Sequence, residues 1–354
     1  MYRTYDSREL KLNRTGLCFF RLISVWILFL VLSNLTIYAQ PLRLPLKPSA
    51  EEYVFNEIKL PGDLPFRDVI ALQQDKHGFV WLASKHGLTR YDGHDFKTFR
   101  HIPGDTTSLI DTELLSLRLL GDTLLCIGGV HGVSLIDIRT QKITNLSRDQ
   151  NGDPVELVND IFPDTDGTIW LAALNGLYSL NPGFTGITNH YLKQPPLTKS
   201  NPTFAKRVYC IAQHAMDKNR LLLGVERGVL SFDKRGNELH KIHPNTEATF
   251  RHSEPTVYKF RKEGNYLWAL CWISGLPRFD MTTETWRNFG YPKTDKSKEN
   301  ASKVWAVSDF MVKNENELWV CDWDRGLSVF NKSSEQLVQP AQAKNSDVLK
   351  KPKL

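Results

Sequence analysis

Six times between Val69 and Phe330 the chain repeats one phrase: an apolar strand, a polar turn, a second apolar strand usually opened by Trp, then Gly-Leu or Gly-Val and a third strand. The copies lie at residues 80–92, 124–137, 169–180, 221–233, 267–280 and 318–330, each with an apolar strand upstream at 69–72, 114–117, 158–162, 208–212, 257–260 and 304–307. Their marker glycines, Gly87, Gly132, Gly176, Gly228, Gly275 and Gly326, are 45, 44, 52, 47 and 51 residues apart. That drift is what loops of unequal length produce. A poorer fourth strand follows most copies, as at 96–99 and 285–289. Repeats of about 45 residues with four short strands each are propeller blades, and no segment sustains a helical apolar period. The sequence therefore predicts an all-β fold, a β-propeller of four-stranded antiparallel blades spanning 53–340, with a linker at 40–52 and a polar tail at 341–354.

A residue that returns at the same point of a blade belongs to the packing between blades. Trp81, Trp170, Trp268 and Trp319 return in this way, so they are assigned to the structural core rather than to a sugar-stacking platform. In the second copy Leu replaces Trp, and the fourth copy also lacks it. Asp92, Asp137, Asp233 and Asp280 close the third strand of four copies. Lying about one blade apart, they are too distant for a carboxylate pair that must sit within about 10 Å across a glycosidic bond. They are expected to cap turns. Asp164 and Asp166 beside Gly167 lack the further acidic ligands of a calcium loop.

Function in a propeller sits where the repeat varies. The loop between the second and third strands lies on the face around the mouth of the central channel. It carries His86, His131, Asn175, Arg227, Trp272 and Ser274, then Trp323 and Arg325. Aromatic planes mixed with hydrogen-bond donors suit a carbohydrate, whose C–H faces stack while its hydroxyls need polar partners. These eight are the candidate ligand-binding residues. No nucleophile–base arrangement stands out, so no catalytic residue is assigned. Cys126, Cys210, Cys271 and Cys321 sit in or beside apolar strands without a Cys-x-x-Cys pair, which reads as small apolar filling. Neither a metal nor a cofactor is expected.

The first 39 residues stand apart. Arg3, Arg8, Lys11, Arg14 and Arg21 precede an apolar core at 22–32, and Ala39 offers a small residue for cleavage before Gln40. This predicts a secretory signal peptide, with an uncleaved anchor as the alternative, since an apolar core of eleven residues falls short of ~30 Å of hydrocarbon. Either places the propeller outside the cytoplasm, in the periplasm or beyond. Of the formal charge of +6, this leader holds +3, from five basic and two acidic residues. The remaining +3 is scattered without a basic stripe, so nucleic acid is not an expected partner.

The run Asp75-x-x-Gly78-Phe79-Val80-Trp81-Leu82-Ala83-Ser84-x-x-Gly87-Leu88-x-Arg90-Tyr91-Asp92-Gly93, preceded by Leu60-Pro61-Gly62-Asp63-Leu64-Pro65, resembles the two-component regulator propeller repeat. The likeness is strong in the first and third copies, fair in the fifth and sixth, and weak in the second and fourth. In that family such repeats form the extracytoplasmic sensor of histidine kinases, chiefly in Bacteroidetes-type bacteria, and many members sense oligosaccharides. Its propellers usually have seven blades. The resemblance implies a sensor for a small polar ligand such as an oligosaccharide, here an N-terminal fragment without the transmembrane, downstream propeller or kinase regions. An incomplete ring would expose blade edges and favour self-association. A secreted hydrolase or lyase acting on glycans and a scaffold for protein partners are the alternatives.

Overall fold

The computed structural model describes residues 68–190, 207–226, 228–242, 256–271, 276–289, 307–322, 326–334 and 336–338. The signal, linker and tail assignments lie outside them. Within them the chain forms six four-stranded antiparallel sheets, each made of four consecutive strands. The first blade is β1 (Val69–Gln74), β2 (Val80–Ser84), β3 (Gly87–Tyr91) and β4 (Phe96–Phe99). The second is β5 (Leu114–Leu120), β6 (Leu124–Gly129), β7 (Val133–Asp137) and β8 (Ile143–Leu146), and the third β9 (Asp160–Pro163), β10 (Ile169–Ala173), β11 (Gly176–Leu180) and β12 (Ile187–Asn189). The fourth is β13 (Val208–Gln213), β14 (Arg220–Val225), β15 (Gly228–Asp233) and β16 (Glu238–Ile242). The fifth is β17 (Val257–Glu263), β18 (Tyr266–Cys271), β19 (Leu276–Asp280) and β20 (Thr285–Phe289), and the sixth β21 (Val307–Val312), β22 (Glu317–Asp322), β23 (Gly326–Asn331) and β24 (Gln336–Val338). This is a six-bladed β-propeller.

The sixth inner strand, expected at 304–307, is described from Val307 onward as β21, and residues 304–306 lie outside the described residues. Asp309 interrupts its apolar pattern and borders the central channel.

Five apolar clusters fill the five successive seams, each built from facing strands of neighbouring blades. Trp81 closes the seam between blades one and two, Trp170 that between three and four, and Trp268 that between five and six. Strand pairing corrects the second copy. Trp81 lies opposite Arg90 and Trp170 opposite Ser179, each six residues before its marker glycine, and the residue in that place is Cys126, opposite Leu135. The smaller side chain suffices because the third blade supplies Ile161, Leu171 and Tyr178 against it. In the fourth blade Leu222 holds the place, opposite Ser231.

A carboxylate in or beside the turn after the inner strand receives each buried indole. Trp81 Nε1 donates to Asp75 at 2.8 Å, Trp170 Nε1 to Asp164 at 3.2 Å, and Trp268 Nε1 to Glu263 at 2.9 Å. In two seams a lysine from the next blade completes the clamp: Lys234 Nζ reaches Asp164 at 2.6 Å and Asp166 at 2.7 Å, and Lys332 pairs with Glu263. The acidic pair at Asp164 and Asp166 thus serves an indole and an ammonium.

The marker glycine is required by close approach. At Gly132, with φ of 133°, an added Cβ would lie 2.2 Å from the Leu146 carbonyl oxygen, and at Gly87, with φ of 115°, 2.4 Å from that of Phe99. In these two blades the third strand starts where no side chain separates it from the chain of the fourth, whereas at Gly228 it is the φ of 105° that favours glycine.

The Asp residues that end the third strands do cap turns. Asp92 accepts from the backbone N–H of His94 and Asp95, Asp137 from Arg139 and Thr140, Asp233 from Arg235, and Asp280 from Thr282 and Thr283. Backbone N–H donors hold the carboxyls of Asp92, Asp137 and Asp280 below the usual range, and the Arg235 side chain leads in doing so for Asp233. A carboxyl depressed in the folded state contributes stability above its unfolded pKa, near 3.9, and loses it as pH falls through the folded value. Denaturant midpoints should therefore hold steady at mildly acidic pH and drop below about pH 4. Asp137→Asn should flatten that drop.

The ends of the blade series differ from its middle. Leu117, Ile161, Ile211, Phe260 and Phe310 occupy one position of successive inner strands and pack on the preceding blade, at 5%, 1%, 4%, 7% and 4% exposure. Leu72 holds that position in the first blade and is 57% exposed. On the far side of blade six, Met311 is exposed, Cys321 is exposed and Trp319 is only half-buried. Trp319 therefore departs from the structural-core assignment: among the described residues no following blade covers it as one covers Trp81, Trp170 and Trp268.

Candidate functional site

Two sets of polar residues are candidates for a site, and His86, His131 and Asn175 of the first are not among the residues lining the channel of the second. The first is the hairpin loop between the second and third strands of each blade. His86 Nε2 pairs with Asp68 Oδ2 at 3.0 Å, and its backbone N–H donates to Ser84 Oγ. His131 donates from its backbone N–H and from Nδ1 to Asp111, at 2.7 and 2.6 Å, with the Asp111 carboxylate nearly buried. Asn175 Nδ2 donates to the Pro154 carbonyl at 2.8 Å, and its Oδ1 accepts from Glu156 N–H at 3.4 Å. All three tie their hairpin to the segment leading into the blade, so part of their hydrogen-bonding capacity holds the loop. The rings of His86 and His131 remain 46% and 72% exposed. Arg227, Trp272, Ser274, Trp323 and Arg325 lie outside the described residues.

The second set was not found by sequence reasoning. The inner strands β1, β5, β9, β13 and β17, with Asp309 of β21, enclose a channel of about 780 Å³. Its charged lining is four cations, Arg118, Lys259, Arg261 and Lys262, and two anions, Asp160 and Asp309. The signal for it lay in the strands themselves. Asn159 and Asp160 interrupt an apolar run, and Lys259, Arg261 and Asp309 do the same in later copies. A charge inside a repeated apolar strand persists where that strand faces water or a ligand, or where the charge is paired.

The backbone explains how these side chains reach the channel. Every inner strand except β9 shifts register just after its first residue, between Val69 and Ala71, Leu114 and Ser116, Val208 and Cys210, Val257 and Lys259, and Val307 and Asp309. Such a bulge re-aims side chains and leaves a carbonyl outside the ladder. The preceding blade takes up that carbonyl: Asn159 Nδ2 donates to Val208 O at 3.0 Å, and Tyr258 to Val307 O. Ahead of the unbulged β9, Ser116 Oγ donates to Val158 O at 2.8 Å. Asp160 Oδ2 accepts from Ile211 N–H at 3.0 Å beside the β13 bulge. The polar lining is thus partly seam and partly site.

No protein-family model matches the chain. Histidine kinase P4 of Formosa agariphila is 37% identical over 68 residues, which are 19% of this chain and 5% of that protein. Among solved structures, the extracellular domain of BT4673 from B. thetaiotaomicron, described as a one component system, superposes with a TM-score of 0.60 over 81% of this chain at 18% identity. That of BT3049 from the same organism, described as a hybrid two component system, gives 0.59 over 79% at 19% identity. This chain is similar to the extracellular domains of such systems. It spans 35% and 36% of those two chains and one-twentieth of the kinase. At these identities the structural likeness establishes the propeller fold.

Proposed function

We propose that the chain is an extracytoplasmic ligand-sensing propeller of a two-component signalling protein, and that it binds a small polar ligand, a carbohydrate being the best fit. The observation that carries this reading is the polar channel of about 780 Å³ in a fold shared with extracellular domains of signalling systems. That volume lies within the usual range of small-molecule sites, about 300–1,000 Å³. Charged and amide groups are held there by seam hydrogen bonds, which orients donors and acceptors in advance of a ligand. The exposed rings of His86 and His131 stand on the hairpin face, which we assign to the mouth of the channel, together with Asn175, Arg227, Trp272, Ser274, Trp323 and Arg325. The leader at 1–39 supports export.

This is a binding site rather than a catalytic one. The channel carboxylates Asp160 and Asp309 are each engaged by cations, and Asp160 also by a backbone N–H, leaving neither placed as an acid or base. A glycan array followed by calorimetry on the hits tests the proposal. Binding without release of new reducing ends is expected. Release of reducing ends would replace the sensor with a hydrolase or lyase, and selective capture of a protein with no glycan bound would favour a scaffold.

A further inference from the structure

The channel contains two versions of one construction, and only one of them is balanced in charge. Arg118 and Arg261 occupy the same position of their inner strands, opposite Cys126 and Trp268, and Asp160 and Asp309 are likewise equivalent in the blades that follow. Between blades two and three, Arg118 Nη2 lies 3.7 Å from Asp160 and its Nε donates to Ile161 O at 3.0 Å. Between blades five and six, Arg261 places Nε and Nη2 on Asp309 at 3.0 and 2.7 Å. One cation faces one carboxylate in both seams. Between blades five and six, however, Lys259 adds its ammonium to the same Asp309 oxygen at 2.6 Å. Its counterpart between blades two and three is the neutral Ser116.

The Arg–Asp pair suffices to brace a seam, as blades two and three show. Lys259 is therefore surplus to the brace: one carboxylate stands against two cations, each about one-third exposed within the channel. Among the charged lining residues Lys262 adds a further positive charge on the same strand. Two adjacent cations held by one acid are already organised for a second oxyanion, since charge-assisted hydrogen bonds are about twice as strong as neutral ones.

We infer that the seam between blades five and six is an anion subsite, formed by Lys259 and Arg261 with Asp309 as their organiser, and that it takes a carboxylate or sulfate borne on the polar ligand of the channel. An acidic sugar and a free inorganic oxyanion share this chemistry. The inference rests on the channel reading above, and the experiment separates the two.

Calorimetric titrations of the full chain with glucuronate, glucose and inorganic sulfate at low ionic strength form the test. Glucuronate is expected to bind and glucose to bind at least tenfold more weakly, with affinity falling as salt is raised. Lys259→Met should weaken glucuronate about tenfold, whereas Asp309→Asn, which removes the competing carboxylate, should strengthen it. Lys142→Met, an exposed lysine beside the outer strand β8 and away from the channel lining, should leave it unchanged, which controls for loss of a positive charge in general. Sulfate binding without sugar preference would assign the subsite to free oxyanions, and the cation pair would stand. Equal binding of glucose and glucuronate, unmoved by Lys259→Met, would overturn the anion subsite while leaving the channel reading intact. No effect of either substitution on any bound anion would overturn it as well.

Discussion

Trp170→Ala is expected to cost about 3–5 kcal/mol of unfolding free energy, the range for removing a large aromatic from a packed core. The indole lies in the seam between blades three and four, 4% exposed, with Phe232 edge-on at 5.7 Å and His190 at 4.7 Å between ring centres. Its N–H is bound to a buried carboxylate, so truncation opens a cavity and strips a partner from Asp164 in the same step. Trp319→Ala provides the contrast. The residue occupies the same strand of its blade but is half-buried, so the loss should fall near 1 kcal/mol, as for other incompletely packed positions. Paired urea titrations read both. Equal losses would mean that the outer face of blade six is covered in solution, and a small loss at Trp170 would mean that the seam repacks around the gap.

The repeat made the architecture legible because every blade solves the same packing problem. Glycines at the start of the third strand, aspartates at its end and indoles at the seams each recur for a local reason that the structure makes visible: a positive φ, with a carbonyl about 2 Å from a would-be Cβ at Gly87 and Gly132, backbone N–H groups to be capped, an inter-blade cavity to be filled. Where the reason was met by another side chain, the text of the repeat misled. Leu was aligned with Trp in the second copy, but register assigns the place to Cys126, whose burial also pushes its thiol up to about 12.

The channel was less legible because its residues are spread one blade apart. Arg118, Asp160, Arg261 and Asp309 are separated in sequence by 42, 101 and 48 residues, and only the ring brings them around one space. A scan for clustered polar residues passes over them. Aligning inner strands by their bulge, instead of by the downstream Gly, would have revealed the charges as departures from an apolar consensus. The hairpin residues drew attention because they vary beside an invariant glycine. Yet variation there also reflects different ways of fastening a loop, as the carboxylate partners of His86 and His131 and the backbone partners of Asn175 show.

Asp164→Ala is the other substitution expected to have a large effect, about 3 kcal/mol, comparable to leaving one member of a buried polar pair without its partner. The carboxylate is buried, accepts the Trp170 indole N–H and the Thr165 N–H, and receives Lys234 from the next blade, whose side chain is only 12% exposed. Burial by itself would lower the Lys234 ammonium's pKa, but the two carboxylates outweigh it and hold the group above its ordinary value. A cation raised in the folded state contributes stability below its unfolded pKa, near 10.4, and loses it as pH rises through the folded value. The clamp should therefore persist across neutral pH and weaken only under strongly alkaline conditions. Asp166 still engages Lys234 after the substitution, which keeps the expected cost below that of a fully stranded charge. Lys234→Met should cost less than Asp164→Ala, because the carboxylate retains the indole and a backbone donor. In a double-mutant cycle the two should couple by 1 kcal/mol or more, the range for residues sharing one hydrogen-bond network. Strict additivity would show that the ammonium does not hold blade four to blade three, and that seam packing around Trp170 carries the join.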